Sequence, residues 1–450
     1  MSFPSVYGGT FSTAPSVTSL PAYTAHVPRP RTAGAVREPT EHLFELKDKR
    51  QKAWATLKLR SSARSAASLP TFLEGESITG SVTLDLSQSE KISGVTILIR
   101  GCVVTGPNAR DRLVFLDIST PLWLKGMPNP RDDPTAPASQ YHGKLSGDYH
   151  WPFSISLPKE VSLPSFKDKD DTVQTCHLPQ TFLERTSQAS VLYEFFVHIA
   201  RSTFREDGQL QTMFVYVPAI RPDPPSRLRQ LAYRQNAPIP GPDMDPEGWY
   251  TLRPATVMGT VFGARPVKIE CHLSLAKPLS YTRGSVIPCS LTYLCDDPQA
   301  LSLVCTPLTT NVCLHRQTTF ATAPAAAEFN ARYVVADPIL EIARAVWWPV
   351  VVDDSGRRCR LDGEIHLPKS LKPSSTVSHF NVSYHVVMLP FQVTGFVAET
   401  ANVKATPALK QQVQIATIFP KGPRPRFYTP PSYDVETGDN MLTSPVRGYI

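Results

Sequence analysis

Strict alternation of apolar and polar residues recurs along this 450-residue chain, a pattern that suits strands and not helices. Ile78, Gly80, Val82, Leu84 and Leu86 alternate with Thr79, Ser81, Thr83 and Asp85, and Val95, Ile97 and Ile99 follow. Tyr193, Phe195, Val197 and Ile199 repeat the pattern, as do Val267, Ile269, Cys271, Leu273 and Leu275. Successive strand side chains point to opposite faces, so each run predicts a strand with one buried face. Helical periodicity is scarce, and the one short stretch predicted helical is Leu340 to Arg344. The chain holds 44 prolines, roughly twice the usual share, and proline removes a backbone donor and breaks helices. The expected fold class is all-β, as two tandem immunoglobulin-like sandwiches.

Proline and small polar residues also mark what lies between. Residues 1–42 hold six prolines among many Ser, Thr and Ala residues and read as a disordered tail. Nine prolines fall between Val217 and Pro254, which predicts a linker. Pro121 to Asp148, rich in Pro, Asn, Asp and Gly, reads as a long surface loop, and after Phe419 the composition reads as a second tail.

The two halves share a blueprint. Phe72-Leu73-Glu74-Gly75-Glu76-Ser77-Ile78 leads into Val82-Thr83-Leu84, and Tyr281-Thr282-Arg283-Gly284-Ser285-Val286-Ile287 leads into Leu291-Thr292-Tyr293. Gly75 and Gly284 lie 209 positions apart, as do Ile78 and Ile287. Ile155-Ser156-Leu157-Pro158-Lys159 answers Ile365-His366-Leu367-Pro368-Lys369 at an offset of 210. The glycines are expected in turns that need positive φ, and the prolines at strand ends. Tyr193-Glu194-Phe195 and Phe380 to Tyr384 follow as matching aromatic strands.

The formal net charge of +7 is spread along the chain, without the concentrated patch of a nucleic-acid footprint. Its densest basic stretch, Arg221 to Arg234, reads as solvated surface with weak attraction to an anionic membrane. None of the eight cysteines forms a Cys-x-x-Cys pair, and no nearby His spacing suggests zinc, so neither metal nor cofactor is expected. Met1 to Tyr23 lacks the apolar stretch of a secretory signal, so the thiols are expected reduced in the cytosol, several of them buried. Val386 to Val397 is too short to span a membrane and contains Pro390, Gln392 and Thr394.

Phosphate-loop, nucleophile-elbow and His-Glu-x-x-His motifs are absent, and Asp170-Asp171 and Asp353-Asp354 read as solvated pairs, so no enzyme is expected. In Trp347-Trp348-Pro349, strand geometry puts one ring in the core and the other near a surface. The motif that carries binding chemistry is Pro430-Pro431-Ser432-Tyr433. Paired prolines favour polyproline II, which WW domains take in an aromatic groove, and Tyr433 would fill the adjacent pocket. Leu20-Pro21-Ala22-Tyr23 is a weaker variant with one proline fewer, a second WW site that could add avidity.

Further residues carry a family likeness. Leu73 to Val82, with Ile92-Ser93-Gly94-Val95 and Ile99-Arg100-Gly101, resembles the first strands of an arrestin N-terminal lobe. Ala276 to Gly284, Leu361-Asp362-Gly363-Glu364-Ile365, Tyr384 to Phe391, and Pro240-Gly241-Pro242 leading to Asp245–Trp249 resemble fungal arrestin-like proteins, the α-arrestins. The resemblance covers roughly residues 43–420. It implies a disordered tail at 1–42, an arrestin N-like sandwich at 43–220, a Pro-rich linker at 221–256, an arrestin C-like sandwich at 257–420 and a tail with the Pro-Pro-x-Tyr motif at 421–450. It also implies an adaptor that brings a HECT-type ubiquitin ligase to cytosolic segments of plasma-membrane transporters or receptors, so that they are ubiquitinated and internalised. Such an adaptor is cytoplasmic and recruited to plasma membrane or endosomes. Two other readings remain at this point: a retromer-like trafficking subunit, which would not need Pro430–Tyr433, and an immunoglobulin-like DNA-binding regulator, which would need a basic groove.

Overall fold

A computed structural model describes residues 38–131, 140–164, 173–201, 206–322, 333–352, 356–378, 380–390, 393–399 and 407–429. The predicted alternation becomes strands. The first half holds β1 (Thr40–Lys47), β2 (Ala53–Ser61), β3 (Thr71–Leu73), β4 (Ser77–Glu90), β5 (Ile92–Val104), β6 (Arg112–Leu124), β7 (Leu145–Ser156), β8 (Glu160–Pro164), β9 (Val173–His177), β10 (Ser190–Arg201) and β11 (Gly208–Val217). Helix α1 (Arg227–Gln235) follows. The second half holds β12 (Trp249–Thr251), β13 (Ala255–Val261), β14 (Arg265–Ala276), β15 (Ser280–Thr282), β16 (Val286–Leu294), helix α2 (Pro298–Val304), β17 (Val312–Ala321), β18 (Val334–Ala336), β19 (Leu340–Val352), β20 (Arg358–His366), β21 (Ser375–Val377), β22 (Phe380–Met388), β23 (Phe396–Ala398) and β24 (Leu409–Ala416).

The first half packs a sheet ordered β1-β2-β4-β7 against one ordered β3-β11-β10-β5-β6, with β8 and β9 forming a small ribbon. Leu57, Val82 and Trp151 of one sheet and Ile97, Tyr193 and Phe195 of the other are buried in the layer between them. Phe153 stacks on Phe195 across that layer at 5.7 Å. The second half folds as one curled sheet of 13 strands along the path β15-β24-β22-β17-β19-β20-β16-β14-β13-β23. The curl comes from β19. Its residues Leu340–Arg344 pair with β17, and from Ala345 onward it pairs with β20. A bulge between Pro349 and Val351 gives the proline a place without a ladder donor.

The duplication holds at the level of residues. Gly75 (φ 87°) and Gly284 (φ 76°) sit at the third position of matching turns, closed by Glu76 N–H to Leu73 at 3.0 Å and Ser285 N–H to Thr282 at 3.1 Å. That position in a type II turn needs positive φ, which glycine adopts at no steric cost. Ile78 faces Ile155 on β7, and Ile287 faces Ile365 on β20. β3 pairs in parallel with β11, as β15 does with β24. Tyr193 donates its hydroxyl to the Pro179 carbonyl at 2.7 Å, and Tyr384 donates to the Lys372 carbonyl at 2.6 Å. Both Leu-Pro-Lys runs begin directly after a strand end, at Ser156 and His366.

Several expectations are corrected. Leu340 to Arg344 is strand, because the ladder to β17 overrides the intrinsic helical preference of its Leu, Glu, Ala and Arg residues. The segment Pro121 to Asp148 is not all loop. Pro121–Leu124 completes β6, Leu145–Asp148 opens β7, and Trp123 is buried. The stretch Arg221 to Arg234 is not all solvated surface. Arg229 is only 2% exposed, donating to the carbonyls of Lys277 at 2.7 Å and Gly248 at 2.5 Å. It extends from α1, which the Ser226 hydroxyl caps by accepting from Arg229 N–H. Trp347 is buried and Trp348 half-buried, as strand geometry predicts.

The thiols also differ in part from expectation. Cys305 and Cys359 form a disulfide, with Cα atoms 6.3 Å apart across 54 positions of sequence. Cys102, Cys176, Cys271, Cys289, Cys295 and Cys313 are free and buried. Among the described residues no helix is long and apolar enough to cross a membrane.

Candidate functional site

Pro430, Pro431 and Tyr433, and the weaker set Leu20, Pro21 and Tyr23, lie outside the described residues. What the structure does place is the chain leading to Pro430. From Phe419 to Thr429 the chain runs back over the body as a strap. Arg221 donates to the Phe419 carbonyl at 2.6 Å, and the Arg424 guanidinium lies over the Phe419 ring at 4.4 Å. Arg426 donates to Asn236 Oδ1 at 2.6 Å, and the Tyr428 hydroxyl donates to the Ala237 carbonyl at 2.9 Å. Phe427 stacks on His366 at 5.4 Å while remaining 57% exposed.

The end of the strap converges on one carboxylate. Glu364, on β20, is 1% exposed. It accepts from Thr429 N–H at 2.8 Å, from Tyr428 N–H at 3.1 Å, and from the Thr429 hydroxyl. His366 Nε2 lies 2.7 Å from that hydroxyl and 3.1 Å from Glu364 Oε1. Burial pushes the Glu364 carboxyl upward, but the bonds from His366, Thr429 and Tyr428 outweigh it and hold the group below its ordinary range. A buried anion is stable only with such partners, and here the strap supplies most of them.

A second cluster joins the two halves. Glu184, before β10, forms a bidentate pair with Arg316 of β17, one bond at 2.9 Å. Arg283 donates to Gln180 Oε1 at 3.1 Å, and Lys372 to the Thr181 carbonyl at 3.3 Å. Beneath them Phe182 packs edge-on to Phe380 at 5.2 Å. Burial pushes the Lys372 ammonium down, and Arg283 and Arg316 push the same way against Glu184. Three cations therefore meet one carboxylate at this junction. Beside it a cleft of about 810 Å³ opens between Gln174–Gln180 of the first half and Pro373–Thr376 and Gln411–Gln414 of the second.

Sequence reading missed all of these groups. Glu184 and Arg316 are 132 positions apart, and nothing local marks either. It also missed a triad of Cys313, His315 and Glu341, whose ligand atoms lie within 4.8 Å of one another. Cys-x-His spacing on a strand was the available signal, since residues two apart share a face. Glu341 there is already paired with Arg344 at 2.5 Å, and burial pushes the Cys313 thiol up to about 11, which keeps it protonated.

Residues 64–220 match the family model of the arrestin (or S-antigen) N-terminal domain. An arrestin N-terminal domain is present. Its span takes in β3 to β11, the two packed sheets and Glu184 of the junction. The chain is predominantly β-strand in several sheets, as an arrestin-type β-sandwich fold requires. Arrestin-fold proteins are non-catalytic scaffolds, so this domain supports an adaptor role and not an enzyme. No curated protein matches the chain.

Proposed function

We propose that the chain is an α-arrestin-type adaptor, with arrestin-like lobes at 43–220 and 257–420 joined by 221–256. It binds the WW domains of a HECT-type ubiquitin ligase through Pro430, Pro431 and Tyr433, and brings that ligase to cytosolic segments of membrane transporters or receptors. Ubiquitination and endocytosis of the cargo follow. The adaptor works in the cytoplasm and is recruited to plasma membrane or endosomes. The net charge of +7 suits peripheral contact with an anionic surface.

The observation that carries this reading is the end of the strap. Thr429 is anchored to the body, and the Pro-Pro-x-Tyr sequence begins at the next residue. A rigid scaffold thus offers a short recognition segment at a fixed exit point. Polyproline II binding has low entropic cost, and the tyrosine acts as the anchor. Leu20, Pro21 and Tyr23 supply a second, weaker contact with a multi-WW partner.

Tyr433→Ala is expected to weaken binding to a WW domain by roughly 2 kcal/mol or more, the scale of an interface hot spot. The urea midpoint should stay that of the parent chain. Isothermal titration with the mutant and parent chains decides it, and equal affinities would sink the assignment. Tyr23→Ala should cost little alone and more in a tandem-WW assay.

A further inference from the structure

We propose that Thr429 is a phosphoacceptor site, and that a phosphate there keeps the end of the strap, Tyr428–Thr429, off Glu364 and so removes the fixed exit point of the chain that follows. The consequence for ligase binding rests on the functional reading above, whereas the site and the strap opening do not.

Three observations lead to it. First, the strap is held by polar bonds and hardly by apolar burial. Arg424, Arg426 and Phe427 are exposed, and Tyr428 and Thr429 are only half-buried. Beside the Arg426–Asn236 and Tyr428–Ala237 bonds, the hold of its last residues depends on the donors that reach Glu364. Segments with few buried apolar contacts open at low cost.

Second, the Thr429 hydroxyl sits at the centre of that contact, bonded to Glu364 and 2.7 Å from His366. A phosphate ester removes this donor and adds a charge of about −1.5 to −2 beside a carboxylate that is 1% exposed. Basic side chains of the strap and of β20 are already engaged. His366 already serves Glu364, Arg426 is committed to Asn236, and Arg424 lies over Phe419. Like charges in a site of low dielectric repel strongly, so the docked state is lost.

Third, Thr429 is followed by Pro430, the feature that proline-directed protein kinases require. Among the described residues Thr120 and Thr306 are also followed by proline, but they are held in β6 and in the bend after α2.

The donor is a nucleoside triphosphate. Thr429 Oγ1 forms the new bond to the γ-phosphorus, the bond from that phosphorus to the β,γ-bridging oxygen breaks, and a nucleoside diphosphate leaves. The hydroxyl proton passes to the kinase and then to solvent. Because the docked hydroxyl is engaged, transfer takes place on the open strap, and the modification traps that state.

The test uses the full chain, a purified proline-directed kinase and magnesium ATP, with the site mapped by mass spectrometry and amide exchange followed across 419–429. The expected result is phosphate on Thr429, with the Tyr428 and Thr429 amides exchanging roughly tenfold faster or more. Thr429→Val keeps both amide bonds to Glu364 and should show no kinase-dependent change, while Glu364→Gln should loosen the strap without any kinase. Phosphate at other sites but none on Thr429, or unchanged exchange in the Thr429-phosphorylated chain, overturns the proposal. In the second arm an isolated WW domain is titrated against both forms. Weaker binding to the phosphorylated form supports loss of the fixed exit point, and equal or tighter binding overturns it. A WW domain indifferent to Tyr433→Ala shows instead that the functional reading has failed, and amide exchange still judges Thr429.

Discussion

The first half encloses its core between two separate sheets, whereas the second half encloses an equivalent core with one sheet that turns a corner. The contrast comes from two strands of 13 residues each, β6 and β19. β6 pairs with β5 from end to end, and among the described residues no backbone ladder joins β6 to β7. β19 leaves β17 after five residues and continues on β20, carrying the ladder from one layer to the other. The turn motifs, tyrosine hydroxyl bonds and parallel β3–β11 and β15–β24 pairs are otherwise shared. The same blueprint thus accepts either an open or a bridged flank. The second half adds two further ties, the Cys305–Cys359 disulfide and the strap.

The sharpest way to break this comparison is to cut the disulfide. In the chain-entropy picture a crosslink across 54 positions contributes about 4 kcal/mol, so Cys359→Ser, or a reducing agent, should lower the stability of the second half by that order. Urea unfolding with and without reductant measures it. An unchanged midpoint would mean that the bridged sheet alone sets the stability.

The paired glycines sharpen the comparison at a smaller scale. Gly75→Ala puts a methyl group into open space at positive φ and should cost about 1 kcal/mol. Gly284→Ala meets Lys369 Cγ at 2.8 Å as well and should cost more, about 2 kcal/mol. Equal costs would show that the second turn relaxes freely.

The smallest expected effect is the pH response of the strap. The docked Glu364 carboxyl titrates below its ordinary value of 4.5, so the released group binds protons more readily than the docked one. Docking is therefore at full strength above that value and is lost as pH falls through the lowered one. Protection of the Thr429 amide against pH measures this, and protection that stays unchanged as pH falls well below 4.5 would break the assignment.

Much of the framework was legible because it is local. Period-two patterning located most long strands, and Gly75 and Gly284 announced their turns because only φ > 0 explains a glycine at that place in both repeats. The two Ile-x-Leu-Pro-Lys runs marked strand ends because proline has no N–H to give to a ladder. What stayed hidden depends on partners far away in sequence. Leu340–Arg344 is strand only because β17 lies beside it, and Arg229 is buried only because two carbonyls from elsewhere receive it. Glu364 reads as an ordinary polar position on β20 until Thr429, 65 positions later, folds back onto it. The arrestin likeness of 64–220 was legible in the run Leu73 to Val82.

β19 also decides how each half carries mechanical load. In the first half no strand ladder among the described residues resists sliding of the two layers along the β6–β7 flank, where side-chain packing and the two main-chain bonds between Tyr141 and Gly126–Met127 hold them. In the second half the same displacement must unzip part of β19 from β17 or β20. Under shear along that flank the first half is therefore the compliant partner and the second the stiff one.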